Sequence, residues 1–165
     1  MEKILEITNL TKKYFSKNAL KNVNLSLDKG RILGLMGPNG SGKTSLLKII
    51  AGLQHSNSGE VLVCGKKIGT ETKKLVSFLP DKNVLYPYMK AIDAINFFQN
   101  YYDDFDVNKA FELLDFMKLD KDEKVSSMSK GMIEKLNLSL TFSRNAKLFV
   151  LDEPLGGVDP VAREK

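Results

Sequence analysis

The chain has 165 residues, 42% hydrophobic and 27% charged, with a formal net charge of +5. That suffices for one core, while a single cysteine excludes an internal disulfide and no apolar run reaches membrane-spanning length. With no signal-peptide core at the N-terminus, the sequence predicts a cytoplasmic protein that reaches any membrane through a partner. The positive charge is scattered along the chain, which describes a solvated surface rather than a nucleic-acid stripe, so no nucleic-acid partner is expected.

In chain order, Ile4–Ile7, Ala19–Leu27 and Arg31–Met36 read as strands, with Asp28-Lys29-Gly30 turning between the second and third. Residues 37–44 read Gly-Pro-Asn-Gly-Ser-Gly-Lys-Thr, the phosphate-loop spacing of Gly, four residues, Gly, Lys, then Ser or Thr. The chemistry asks for these residue types. Glycines such as Gly40 and Gly42 let successive backbone N–H groups turn inward around an anion, with Asn39, Ser41 and Ser45 beside them. Lys43 brings a point charge to the β- and γ-phosphates, and the Thr44 hydroxyl can ligate Mg²⁺. Lys43–Ala51 is helix-like and ends at Gly52, so strand, loop and helix put the phosphates at a helix N-terminus.

Glu60–Cys64 predicts a short strand with Cys64 as a small core hydrophobe, and Lys74–Leu79 a further strand ending at Pro80. The periodicity then becomes helical. Apolar residues from Ala91 to Tyr102, then Val107, Ala110, Phe111, Leu114 and Met117 behind an Asp106 N-cap, then Met132, Ile133, Leu136 and Leu140, predict three packed helices. Lys147–Leu151 returns to a buried strand pattern. The order predicts one α/β core interrupted by a helical insertion, with residues 1–87 and 145–165 as core and 88–144 as helical subdomain.

Leu148–Leu151 leads into Asp152 and Glu153. An acid at a strand end can aim into the cleft above a sheet. Asp152 suits a Mg²⁺ ligand, and Glu153 would face an attacking water as base or positioner.

A phosphate loop and an acidic strand end flanking a helical insertion resemble the ATP-binding subunit of ABC transporters, over essentially the whole chain. The resemblance implies a P-loop NTPase core with an N-terminal antiparallel β subdomain, binding ATP with Mg²⁺. It implies that Tyr14 stacks on adenine. Met128-Ser-Lys-Gly-Met132 stands where the family carries Leu-Ser-Gly-Gly-Gln: Ser129 and Gly131 match, Lys130 and Met132 do not. The implied role of Ser129 and Gly131 is to cap the γ-phosphate held by a second copy of the subunit, and Asp159 matches the loop acid that contacts that copy. Asp81 stands where the family has a Gln approaching Mg²⁺; shorter and charged, it reads either as a metal-side group or as a turn carboxylate. Residues 82–90 lie where the family docks an integral membrane permease, which would hold the subunit at the inner face of the membrane. The family has a further strand and a histidine beyond the Asp159 loop. This chain stops at Lys165, and His55 follows the phosphate-loop helix, where it reads as a surface residue. The resemblance therefore predicts a C-terminally shortened subunit whose missing strand leaves backbone groups unpaired at the sheet centre, with weakened nucleotide binding and slow hydrolysis. Two other functions stay open on the sequence: an ABC-type ATPase acting on nucleic acid or ribosomes, and a non-hydrolysing nucleotide-binding module. The variant signature leans toward a bacterial exporter.

Overall fold

The computed structural model describes residues 2–154; Asp159 lies outside the described residues. The chain divides into two units, residues 2–77 with 146–152 and residues 78–145 with 153–154.

In the first unit, β1 (Lys3–Tyr14) and β2 (Lys17–Asp28) form a long antiparallel hairpin, and β1 pairs antiparallel with β3 (Ser58–Val63), which pairs with β4 (Lys66–Lys67). The sheet order is β2-β1-β3-β4. Both outer neighbours of β1 need its backbone, so it runs well past the predicted Ile4–Ile7. Ile4 and Leu5 are both buried although they are adjacent, because the register shifts between Lys3 and Leu5 and breaks the two-residue alternation. Ile7, Leu10, Leu20, Val61 and Val63 are the other buried apolar residues of this sheet.

Helix α1 (Lys43–Ile50) buries Leu46, Ile49 and Ile50 and packs against β2 and β6 (Leu148–Leu151). The predicted strand at Lys74–Leu79 loses its first two residues to a helix. Thr70–Leu75 forms α2, and only Val76–Leu79 (β5) is extended, paired with β6 in a two-stranded sheet. Thr72 explains the helix: its hydroxyl accepts from Gly69 N–H at 2.9 Å and donates to Gly69 C=O at 3.0 Å, organising the first turn. Cys64 is not in the core. It is half-buried with φ 50° in the tight turn to β4, where Gly65 follows at φ 72°.

Arg31–Met36 does not form the predicted strand. No ladder partner for it occurs among the described residues, and its apolar side chains face water, Ile32 at 100% and Met36 at 97% exposure. Apolar β-branched composition makes a segment competent for a sheet, but only a neighbour that takes its N–H and C=O groups makes it a strand.

The second unit is helical. Helices α3 (Ala91–Tyr101), α4 (Val107–Met117) and α5 (Lys130–Phe142) bury Ala91, Ala94, Ile95, Ala110, Leu114, Leu136 and Leu140 in one cluster, with a 3-10 turn at Val125–Ser127. Asp106 caps α4 by accepting from Lys109 N–H at 3.0 Å. A buried ion pair ties the end of α5 to the α3–α4 connection. Arg144, 4% exposed, donates from Nε and Nη2 to the two Asp104 carboxylate oxygens at 2.9 and 3.1 Å, and its guanidinium lies 4.0 Å from the Tyr102 ring centroid.

Candidate functional site

The phosphate loop runs from Gly37 into α1. Asn39 and Gly40 form its tip, with Ser41 N–H donating to Pro38 C=O at 3.2 Å. Gly42 is the N-cap of α1 at φ 96°, a left-handed conformation, and a Cβ there would stand 2.3 Å from the Ala19 carbonyl oxygen. The position therefore demands glycine on two counts, backbone conformation and space. No side chain caps the α1 N-terminus and its first turn holds no acid. The positive end of the helix dipole is thus uncompensated by protein groups, which favours an anion. Lys43 folds back over the loop, its Nζ donating to Gly37 C=O at 2.7 Å and Pro38 C=O at 3.0 Å.

In the first turn of α1, the Thr44 hydroxyl donates to Asp152 Oδ1 at 3.2 Å, joining residues 108 apart in sequence. Asp152 is 2% exposed at the end of β6, and its Oδ2 is buried with no hydrogen-bond partner. A buried carboxylate oxygen without a donor is costly unless something positive completes it. A hard cation between the Thr44 hydroxyl and Asp152 fits that requirement. Among the described residues no cluster of three or more His, Cys, Asp or Glu could cage a metal. Mg²⁺ is held by one or two carboxylates together with phosphate oxygens and water, so one buried acid beside a hydroxyl is a donor set that such an ion accepts.

Tyr14 ends β1, 41% exposed. Its hydroxyl meets Ser45 Oγ at 3.2 Å and accepts from Gln54 Nε2, and Lys12 Nζ lies 5.1 Å from its ring centroid. The Ser45 hydrogen bond, with the Gln54 bond and the Lys12 and Lys48 charges, holds the phenol below its ordinary pKa, outweighing the slight burial that raises it. Sequence reasoning passed over Gln54. It lies 40 residues from Tyr14 in no motif, so only the folded chain reveals the pairing.

The remaining candidates belong to the second unit. Ser129 is the N-cap of α5, its Oγ accepting from Met132 N–H at 3.2 Å, which leaves the hydroxyl proton available to donate elsewhere. Gly131 follows in the first turn, with open space where a Cβ would be. Asp81 and Glu153 line one cavity of 250 Å³ together with Asn83, Lys130, Glu134 and Asn137. Glu153 is exposed and sits at φ 50°, an unusual conformation for a non-glycine residue, which directs its side chain away from the strand path.

The family model for ABC transporters matches residues 20–156, from β2 through the phosphate loop to the acid pair. The chain belongs to the ABC transporter family. Two relatives from Bacillus subtilis (strain 168) are the uncharacterized ABC transporter ATP-binding protein YdbJ, 36% identical over 96% of this chain and 53% of its own length, and the linearmycin resistance ATP-binding protein LnrL, 32% identical over 97% of this chain and 54% of its own. The chain thus spans about half the length of these curated relatives. Among solved structures, the dimeric bacterial ABC transporter cassette MJ0796 superposes with a TM-score of 0.84 at 25% identity, over 97% of this chain and 78% of that one. The same cassette has been solved in a dimeric post-hydrolysis state with ADP and Pi. The fold is therefore that of an ABC ATPase P-loop cassette, with mixed α/β content and an antiparallel sheet.

Proposed function

We propose that this chain is the ATP-binding and ATP-hydrolysing part of an ABC transporter, coupling hydrolysis to transport through a separate membrane subunit. The observation that carries the proposal is the Thr44–Asp152 hydrogen bond beside an unpartnered Asp152 Oδ2. It joins a phosphate loop to a buried acid at the place where a metal-bound triphosphate needs both. Residues 39–45 hold the phosphates, Lys43 leaving Gly37 and Pro38 for phosphate oxygens of higher charge density. Thr44 and Asp152 hold Mg²⁺, which supplies charge neutralisation of the β- and γ-phosphates. Tyr14 offers a ring face to adenine. Glu153 accepts the proton of the water that attacks the γ-phosphorus as the bond to the ADP oxygen breaks. Asp81 lines the same cavity as Glu153 and Glu134.

A second copy of the chain completes the site, its Ser129 hydroxyl and Gly131 N–H facing the γ-phosphate. The related cassette MJ0796 has been solved as a dimer, which supports the pairing of two copies. Among the described residues no helix is long and apolar enough to cross a membrane. The proposal places the transport path in an integral membrane permease, at whose cytoplasmic side the ATP-binding chain docks. In this proposal the chain belongs to a single ATP-binding domain whose helical subdomain, residues 88–144, lies within the second unit.

The test is Glu153→Gln in the full chain, assayed for Mg²⁺–ATP binding and for phosphate release. Binding within about threefold of wild type with turnover reduced by about a hundredfold or more is the expected result. Undiminished turnover removes Glu153 from the proton-accepting role, and failure of the wild type to bind Mg²⁺–ATP removes the proposal altogether.

A further inference from the structure

The end of β1 is tied to the loop that follows α1 by a set of contacts, three of which involve Tyr14. Asn57 N–H donates to Thr11 C=O at 2.9 Å, and Lys13 N–H donates to Asn57 Oδ1 at 2.7 Å. Lys12 Nζ donates to His55 C=O at 2.8 Å while lying over one face of the Tyr14 ring. Gln54 Nε2 donates to the Tyr14 hydroxyl, which also meets Ser45 Oγ. The Gln54 Oε1 is buried and has no hydrogen-bond partner, so the amide's one hydrogen bond is spent on the tyrosine. The loop itself is launched rigidly, with Gly52 N–H and Leu53 N–H bonded back to Ile49 C=O at 3.0 Å and Lys48 C=O at 2.8 Å.

We infer that Gln54 is a positioning residue for nucleotide recognition: its bond to the Tyr14 hydroxyl, backed by Ser45 and by Lys12 on one ring face, sets the ring plane so that a nucleobase stacks on the opposite face. The inference rests on the proposed stacking role of Tyr14 and deepens it by naming what makes the ring receptive. An exposed tyrosine beside a turn (Phe15, next in the chain, stands at φ 51° with its side chain in water) would otherwise sample several rotamers. Two bonds to the hydroxyl settle the rotamer when the chain folds, so the ordering cost is not charged against nucleotide binding. Gln54 is the informative residue to change, because Ser45 also belongs to the phosphate loop.

The experiment compares binding of Mg²⁺–ATP with that of inorganic tripolyphosphate, which has the phosphates and no base, in the full chain and its Gln54→Leu, Gln54→Glu, Tyr14→Phe and Tyr14→Ala variants. Gln54→Leu is expected to weaken ATP by roughly three- to tenfold, the worth of one hydrogen bond, and to leave tripolyphosphate unchanged. Tyr14→Phe, which removes both the Gln54 and the Ser45 bond, should show at least this loss, the Gln54→Leu/Tyr14→Phe double variant no more than Tyr14→Phe alone, and Gln54→Glu, which can only accept from the Tyr14 hydroxyl, should restore most of the affinity while moving the tyrosinate absorbance to higher pH. The tyrosinate absorbance of Tyr14 should also move to higher pH in Gln54→Leu, since the Gln54 bond is among the groups that lower its pKa. An unchanged ATP-to-tripolyphosphate ratio in Gln54→Leu, or equal loss of both ligands, overturns the assignment. If Tyr14→Ala leaves ATP affinity intact, the stacking role itself fails and the inference falls with it.

Discussion

Substituting Gly42 by alanine isolates what the phosphate loop requires of its backbone. At φ 96° an added Cβ costs about 1–2 kcal/mol in the left-handed region. That Cβ would also stand 2.3 Å from the Ala19 carbonyl oxygen and 2.9 Å from Leu20 Cδ2. The first of these is backbone of β2, which cannot swing aside as a side chain would, so an overpacking cost of about 1–3 kcal/mol adds to the strain. Gly40, two residues earlier at φ 79°, has nothing within 4 Å of its would-be Cβ and carries only the strain. Taking about 3 kcal/mol for Gly42→Ala against about 1–2 kcal/mol for Gly40→Ala, a chain of this size should lose about 6–12 °C and about 2–8 °C of melting temperature respectively. Gly42→Ala should in addition lose tripolyphosphate affinity, because the displaced residue is the N-cap of α1. The measurements are thermal unfolding followed by circular dichroism and calorimetric titration with tripolyphosphate. Equal melting temperatures for the two variants, or intact tripolyphosphate binding in Gly42→Ala, would refute the steric reasoning.

Asp152→Asn keeps the acceptor for Thr44 but removes the charge. ATP affinity should fall by about tenfold or more with Mg²⁺ present and change little when Mg²⁺ is chelated, as titration in the two conditions would show. Arg144→Met leaves the Asp104 carboxylate without its guanidinium. With the Asp104 side chain still 28% exposed, the expected loss is about 2–3 kcal/mol, seen as a lower denaturation midpoint and faster hydrogen exchange across residues 102–106. Burial raises the Tyr102 phenol above its ordinary 10.0, with the Arg144 charge pulling back in part. A raised folded-state pKa means the unfolded chain loses that proton first, so this contribution to stability is full below pH 10 and disappears as pH rises through the higher folded value. The melting temperature of wild type should therefore fall more steeply above pH 10 than that of Tyr102→Phe, and parallel curves would contradict the assignment.

The sequence alone determined the elements whose signal is periodic or covalently compact. The helices α3, α4 and α5 each carry their own apolar stripe, Asp106 is a local cap, and the phosphate loop is eight consecutive residues. None of these needs a distant partner to be recognised. Tertiary structure decided what depends on who lies next to whom. Arg31–Met36 has strand composition and no ladder among the described residues, so it is not a strand. Thr70–Leu75 became a helix through one threonine hydroxyl, and Cys64 left the core for a turn because β3 had to reverse into β4. The Thr44–Asp152 bond and the Gln54–Tyr14 bond span 108 and 40 residues. A sequence encodes which faces are apolar and which atoms can donate or accept. It does not encode the pairing of those atoms across such separations, because that pairing is settled by the packing of the whole unit and not by any local run of residues.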